Sequence, residues 1–167
     1  MTGSKNNKII ECVYEWAESI LFSLAVVLLI FTFALKTYMV SGPSMYPTLD
    51  SGERVFVYGL FYQPKQGDIV VIDSNNNLNE PIVKRVVATG GQTVDIDANS
   101  GEVMVDDTAF DAPIKASFDN LNGNIIFPVV VPDGYIFVMG DNRADSLDSR
   151  YSELGFVNSK SVLGKKI

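Results

Sequence analysis

The chain has 167 residues, of which 13 are Lys or Arg, 20 are Asp or Glu, one is Cys and none is His, giving a formal net charge of -7. The absence of His excludes a Ser-His-Asp triad, a Cys-His dyad and every His-ligated metal or haem site, so acid–base chemistry has to use Lys, Asp, Glu or Tyr. The single Cys12 cannot form an intramolecular disulfide, and the acidic balance argues against nucleic acid as a partner, because phosphates require a basic surface.

An uncharged apolar run near the N-terminus predicts a membrane-spanning helix. Residues 20–35 (ILFSLAVVLLIFTFAL) contain no charged side chain and would extend about 24 Å as a helix, at ~1.5 Å per residue. A bilayer core is ~30 Å thick, and the difference closes if Trp16 and Tyr38 lie in the two interfaces while Lys36 extends outward. We therefore expect one transmembrane helix over about residues 16–37.

Two other interpretations of this run, a buried core helix and a cleavable signal peptide, fit less well. A helix that is apolar on every face has no polar stripe for solvent, and no A-x-A cleavage site follows the run. Because acidic residues count little in the positive-inside rule, Lys5 and Lys8 place the short N-terminus, residues 1–15, in the cytoplasm. The chain is thus predicted to be a single-pass cell-membrane protein with an extracytoplasmic domain over residues 38–167.

Beyond residue 39 the hydrophobic pattern changes to short runs of β-branched and aromatic residues, which are typical of strands. Residues 93–97 (TVDID) and 102–106 (EVMVD) alternate strictly and predict a hairpin with one apolar face, whereas residues 73–80 (DSNNNLNE) predict a surface loop. The fold class is therefore mainly β: an antiparallel β-sheet domain with a small β insertion at about residues 98–127, preceded by the single transmembrane helix. Further strands are predicted in residues 54–58, 68–72, 82–88, 125–131 and 135–139.

Residues 40–49 (VSGPSMYPTL) combine a constrained turn with a reactive side chain. A glycine and two prolines restrict the backbone around Ser44, so its hydroxyl can be held exposed beside a backbone N–H, as a catalytic nucleophile requires. The alternative is a proline-rich linker that contains an incidental serine. This segment alone does not decide between the two.

Lys84 lies in the predicted strand at residues 82–88, where alternation puts it on the opposite face from Val83 and Arg85. If Val86 faces the core, Lys84 does too. Burial among apolar atoms disfavours the charged form of a lysine, which lowers its pKa from ~10.4 and makes the neutral amine available as a base. The alternative is an edge-strand lysine that extends its amine into solvent.

Residues 140–151 (GDNRADSLDSRY) are rich in the short polar side chains that form turns and local hydrogen bonds. A carboxylate–guanidinium pair, either Asp148 with Arg150 or Asp141 with Arg143, is predicted to brace this loop. A calcium site is the alternative, but the spacing lacks the glycine and the terminal glutamate of an EF-hand. No metal site is therefore predicted.

Together these segments resemble the bacterial type I signal peptidases, or leader peptidases, which are membrane-anchored Ser/Lys proteases of family S26. SGPSMYPTL at residues 41–49 resembles the serine box of that family, GDIVVI at 67–72 its strand box, VKRVV at 83–87 its lysine box and GDNRADSLDSR at 140–150 its last box. The four boxes stand in family order behind the predicted membrane helix, so the resemblance covers most of the chain.

The resemblance implies a role for each matched residue. Ser44 is implied as the nucleophile, with its backbone N–H contributing to the oxyanion hole, and Lys84 as its general base. Gly42 stands where many members have a serine whose hydroxyl completes the oxyanion hole, so the second oxyanion donor is left open. Met45 is expected to line the site, and Ser146 corresponds to a serine that hydrogen-bonds the catalytic lysine. Four further residues are implied as structural supports: Asp141, Arg143, Asp148 and Arg150.

The resemblance also implies the function, a membrane-bound serine endopeptidase that removes N-terminal signal peptides from secreted preproteins through an acyl-enzyme. Its implied partners are the lipid bilayer and signal peptides with small residues before the cleavage site, with no cofactor, metal or nucleic acid. Two alternatives stay open: a related Ser/Lys peptidase dedicated to one secretion or pilus substrate, and a non-catalytic anchored paralogue that only binds preproteins. The sequence leaves substrate range and oligomeric state open.

Overall fold

The computed structural model describes residues 3–97, 100–111 and 123–167. The chain divides into two compact units, Met1–Leu35 and Lys36–Ile167. The predicted insertion at about residues 98–127 falls in part on residues 98–99 and 112–122, which lie outside the described residues.

The first unit is one long helix, α1 (Gly3–Ala34). Its stretch Ile10–Thr32 is apolar enough to cross a membrane, and at ~1.5 Å per residue its 23 residues extend about 35 Å, more than the ~30 Å of a bilayer core. The helix differs from the predicted 16–37 at both ends. It ends at Ala34 because the β-branched Thr37 and the aromatic Tyr38 belong to a strand, β1 (Leu35–Met39).

The remaining strands of the described residues form two sheets, a seven-stranded sheet in the order β1-β2-β11-β3-β4-β9-β10 and a four-stranded sheet in the order β7-β6-β5-β8. The pairings on either side of β11, β4 and β9 and throughout the smaller sheet are antiparallel, which confirms the predicted fold class. A short 3-10 helix at Ser159–Ser161 precedes the last strand. The strand bounds are β2 Arg54–Tyr58, β3 Ile69–Ile72, β4 Ile82–Thr89, β5 Thr93–Ile96, β6 Val103–Val105, β7 Thr108–Ala109, β8 Val129–Val130, β9 Tyr135–Met139, β10 Val157–Asn158 and β11 Val162–Lys166.

Strand β11 joins the two parts of the larger sheet. It pairs on one side with β2 and on the other with β3, so it connects the β1–β2 pair to the β3–β4 pair. Its Lys165 ammonium forms an ion pair with Asp68 at 2.5 Å, and the same carboxylate accepts a hydrogen bond from the Tyr62 hydroxyl at 2.7 Å. The strand is thereby held near its C-terminal end by a side-chain contact as well as by its backbone hydrogen bonds.

The smaller sheet packs on the larger one through its apolar face. Val94, Val103 and Val105 are buried and share one core cluster with Val87 and Phe137 of the larger sheet. The pairing of β5 with β6 therefore confirms the predicted hairpin and its apolar face. This packing covers one face of β4 and β9 and shields it from solvent. The central residues of β4 are therefore buried.

Candidate active site

The turn at residues 40–53, between β1 and β2, places Ser44 next to Met45, whose side chain is buried in the core. Gly42 has φ +82°, a left-handed conformation that glycine adopts without steric cost. Met45 and Leu49 are 0% and 1% exposed and pack in the cluster that lies under the turn. Ser44 itself stays partly exposed. Met45 was expected to line the site, but it packs in the core and holds the turn from below.

Backbone hydrogen bonds fix the conformation of this turn. The Gly52 N–H donates to the carbonyl oxygen of Val40 at 2.8 Å, and the Gly42 N–H donates to Ser51 Oγ at 3.2 Å. Gly42 therefore supports the turn, and its N–H is already used. The N–H of Ser44 has no acceptor within the described residues, which leaves it able to bind an oxyanion.

Strand β4 brings Lys84 to the turn. The side chain of Lys84 is 4% exposed, and its Nζ donates a hydrogen bond to Ser44 Oγ at 2.8 Å. Val86, two residues along the same face, is fully buried, as the alternation predicted. Because β4 lies between β3 and β9, Lys84 is on a central strand, and the edge-strand alternative is wrong.

Burial lowers the pKa of Lys84 below its ordinary value, because the ammonium loses hydration. The negative charges of Asp148 and Glu80 oppose this shift, and the positive charge of Arg150 adds to it. The net direction is downward, so more neutral amine is present at a given pH than for an exposed lysine. A neutral amine at hydrogen-bond distance from a hydroxyl is able to accept its proton.

A buried ion pair underlies the loop at residues 140–150. Arg150 Nε lies 2.8 Å from Asp148 Oδ1, and Arg150 Nη2 lies 3.0 Å from Asp148 Oδ2. Asp148 also accepts the backbone N–H of Gly140 at 3.0 Å, while Arg150 donates to the carbonyl oxygen of Arg143 at 2.8 Å. The predicted pairing of Asp148 with Arg150 is confirmed, and its additional backbone bonds compensate the loss of hydration on burial.

The predicted pairing of Asp141 with Arg143 was wrong. The Asp141 carboxylate binds Arg85 through two hydrogen bonds, Nε to Oδ1 and Nη2 to Oδ2, both 2.7 Å. Arg143 instead donates from Nε to the carbonyl oxygen of Gly140 at 3.1 Å. Arg85 reaches Asp141 because it lies opposite Met139, the last residue of β9, in the β4–β9 pairing. Arg85 could have been identified from the sequence as a residue that needs a buried partner, because it is a charged side chain in the middle of a largely apolar strand.

Ser146 does not make the hydrogen bond that the resemblance implied. Its Oγ is buried and has no hydrogen-bond partner among the described residues, so no bond to Lys84 is present. The side chain nevertheless lies close to the Ser44 backbone. A Cβ atom at Gly140 would collide both with the Ser146 side chain and with the carbonyl oxygen of Ser44, so only glycine fits at that position.

Asn142 was not identified from the sequence, but the structure places it against the turn that carries Ser44. Its backbone N–H donates to the carbonyl oxygen of Ser44 at 3.0 Å, and its side-chain Nδ2 donates to the carbonyl oxygen of Pro43 at 3.2 Å. These two bonds attach the loop at residues 140–150 to the turn that carries Ser44. An asparagine in a turn-rich segment is ordinarily interpreted as a local turn residue, which is why this long-range contact could not be predicted from the sequence.

Ser44 and Lys84 both line a cleft of about 240 Å³. The described residues contain no group of three or more His, Cys, Asp or Glu side chains that could hold a metal ion. The cleft walls are mostly apolar and come from β1, β4 and the segments beside them. They include Tyr38, Val40, Gly42, Ile82, Val83 and Leu147.

A partly exposed serine hydroxyl, hydrogen-bonded to a buried lysine amine at the edge of a cleft, is the arrangement of a serine hydrolase that works without histidine. A free backbone N–H beside that hydroxyl adds a donor for a developing oxyanion.

Comparison with known proteins identifies the family. Residues 13–167 match the family described as signal peptidase, peptidase S26. The chain is 38% identical to signal peptidase I of Bacillus licheniformis, over 98% of this chain and 91% of that protein. It is 36% identical to signal peptidase I S of Bacillus subtilis (strain 168), over 91% and 85% of the two chains. The chain therefore belongs to the S26 signal peptidase family and is a serine endopeptidase of the signal peptidase I type.

A solved structure is also similar. The crystal structure of a signal peptidase I from Enterococcus faecalis V583 aligns with a TM-score of 0.48 and 28% identity, covering 62% of this chain and 97% of that one.

Proposed function

We propose that the chain cleaves signal peptides from preproteins with Ser44 as nucleophile and Lys84 as general base. The observation that carries this proposal is the 2.8 Å hydrogen bond between Lys84 Nζ and Ser44 Oγ, made by a lysine whose burial favours the neutral amine.

The chemistry follows from these two groups. Neutral Lys84 accepts the Ser44 proton while Oγ attacks the scissile carbonyl carbon, and the Ser44 N–H donates to the resulting oxyanion. The C–N bond then breaks, and the leaving amine takes the proton from Lys84. A water molecule then attacks the ester carbonyl carbon and loses its proton to neutral Lys84, and Lys84 returns a proton to Ser44 Oγ as the acyl group leaves.

The proposed substrates carry small side chains before the cleavage site. The modest volume and apolar walls of the cleft suit short aliphatic side chains better than large or charged ones. The segments around Asp141, Arg143, Asp148 and Arg150 hold the site and take no part in proton transfer, because their side chains are engaged in ion pairs or backbone contacts.

We infer that α1 anchors the enzyme in the lipid bilayer. Its stretch Ile10–Thr32 has the necessary length and composition. The basic residues Lys5 and Lys8 favour a cytoplasmic N-terminus, which puts the catalytic domain outside the cytoplasm, on the side where translocated preproteins emerge.

The test is cleavage of a preprotein with an A-x-A site by the full chain in liposomes. Wild type is compared with Ser44→Ala and Lys84→Ala, with Ser74→Ala and Lys65→Ala, both exposed and outside the cleft, as controls for loss of a hydroxyl and of an amine elsewhere. The proposal predicts cleavage after the small residue by wild type and by both controls, and at least a 10³-fold loss in the two dyad variants. Cleavage by a folded Ser44→Ala variant would contradict it, and a wild type that cuts no general preprotein would favour a dedicated substrate.

A further inference from the structure

The cleft beside Ser44 contains a second charged residue that the proposed chemistry does not use. Among the described residues that line the cleft, Lys84 and Glu80 are the two that carry ionisable charge, and the others are apolar or neutral. Lys84 has to be uncharged to act as a base. In the active form of the enzyme the formal charge in the cleft is therefore that of Glu80.

The Glu80 backbone is held in place while its carboxylate is free. Asn76 Nδ2 donates to the carbonyl oxygen of Glu80 at 2.6 Å and to that of Asp73 at 2.7 Å, which fixes the end of the loop that leads into β4. Glu80 itself is exposed, and its carboxylate makes no hydrogen bond or ion pair with any residue that the structure describes. A fixed residue with an unengaged carboxylate is available to a ligand in the cleft.

The surroundings of Glu80 suit a long cationic side chain. Leu78, Pro81 and Leu147 line the same cleft and offer apolar surface for the methylene stem of a lysine or arginine, whose charged end prefers a carboxylate partner near solvent. Glu80 stands four residues before Lys84 in the chain, and an extended substrate spans about 13 Å in four residues. A side chain near Glu80 would therefore belong to a residue close to the scissile bond.

We propose that Glu80 is a specificity-determining residue that favours preproteins with a Lys or Arg side chain within about four residues of the cleavage site. The inference rests on the proposed function, since it assumes that preproteins occupy this cleft. The same carboxylate acts on Lys84, whose pKa it holds higher than burial alone would, which indicates that its charge is felt at the reacting atoms.

The test scans one lysine through a peptide with an A-x-A site, from four residues before the scissile bond to four after it. Each lysine peptide is paired with its glutamine counterpart, and kcat/KM is measured for the full chain in lipid vesicles at low salt. Wild type, Glu80→Gln and Glu80→Lys are compared with Glu102→Gln, which removes the same charge from an exposed residue just before β6, outside the cleft.

We expect wild type and Glu102→Gln to prefer lysine over glutamine at one or two positions by roughly two- to fivefold, the effect of one exposed ion pair. In Glu80→Gln the ratio should fall to about one, and in Glu80→Lys it should invert. The preference should also weaken at high salt through screening. Equal ratios in wild type and Glu80→Gln at every position would overturn the inference while leaving the proposed function standing, whereas a wild type that cuts no peptide would overturn both.

Discussion

Lys84 combines the two properties that the proposed general base needs, contact with the Ser44 hydroxyl and a lowered pKa that favours the neutral amine. Because burial lowers the pKa of Lys84, kcat/KM should rise with pH as the amine loses its proton and then level off. The rise should occur below the ordinary lysine value of about 10.4. A pH–rate profile with the chemical step limiting measures this, and a flat rate between about pH 6 and 10 would contradict the role of Lys84 as base.

The same shift affects stability. The folded chain holds Lys84 with a lowered pKa, so between that value and the unfolded value of about 10.4 the unfolded chain binds more protons, and stability rises with pH through this window. Lys84→Met removes the buried ammonium and should raise the midpoint of thermal unfolding at pH 7 by about 2–4 °C. The gain should shrink toward pH 10, while Lys65→Met, at an exposed lysine, should show no such trend.

Asn142 is predicted to position the nucleophile. Asn142→Ala removes the bond from Nδ2 to the carbonyl oxygen of Pro43 and should lower kcat roughly fivefold with little change in KM, the effect of about 1 kcal/mol. Asn124→Ala is the matched control, because Asn124 Nδ2 also makes a contact between distant segments, donating to Ser152 Oγ at 3.0 Å, but lies outside the cleft. If both variants lose equal stability but keep wild-type kcat, Asn142 has only a structural role.

The residues of the site were predictable to different degrees. Ser44 and Lys84 stood out because a constrained turn and a lysine in an apolar strand are local patterns, and the structure brings the two to 2.8 Å. The partner of Asp141 was not predictable, because pairing with Arg85 depends on the register of two strands. Met45 was assigned to the cleft, but its apolar side chain is more stable in the core.

At the scale of elements, β11 decides whether the turn with Ser44 and the strand with Lys84 stay together. Gly164 lies at the register shift in β11 with φ +155°, and a Cβ there would collide with the carbonyl oxygen of Tyr58 in β2. Gly164→Ala should therefore cost at least 3 kcal/mol, of the order of other strained core substitutions. It should also lower peptidase activity well below that of Gly134→Ala, the control variant.

Gly134→Ala is the control, because Gly134 also has a positive φ of +80° but nothing lies within 4 Å of its Cβ position. That variant should lose only about 1 kcal/mol from backbone strain. Urea unfolding of both variants measures the difference. Equal losses would mean that the contact with Tyr58 is relieved by a small movement of the strand.

Strands were predictable where alternation is strong and not where it is weak. β2 and β9 have the predicted bounds because β-branched and aromatic residues alternate or cluster there. β11 was not predicted, because its sequence VLGKK contains a glycine and two lysines, which are uncommon in strands. Nothing in these five residues indicates that the segment pairs with a strand on each side. The strand predicted at residues 125–131 is reduced to β8, because Pro128 cannot donate to a ladder.

At the scale of the whole molecule, the orientation of the anchor is the testable property. In a Cys12→Ala background, a single cysteine is introduced as Ser4→Cys on the N-terminal side of α1 or as Asp133→Cys in the exposed turn before β9. A membrane-impermeant maleimide added to intact cells should label Asp133→Cys and leave Ser4→Cys unlabelled until the cells are opened. The reverse pattern would place the catalytic domain in the cytoplasm.

The position of β11 also has a consequence for biosynthesis. A ribosome makes α1 first and the turn with Ser44 soon after, but the strand that lies between β2 and β3 emerges after all the other strands. By the proposed function, a chain stalled before residue 166 would carry the membrane helix and both Ser44 and Lys84, but it would lack the strand that joins their parts of the sheet and would have no peptidase activity.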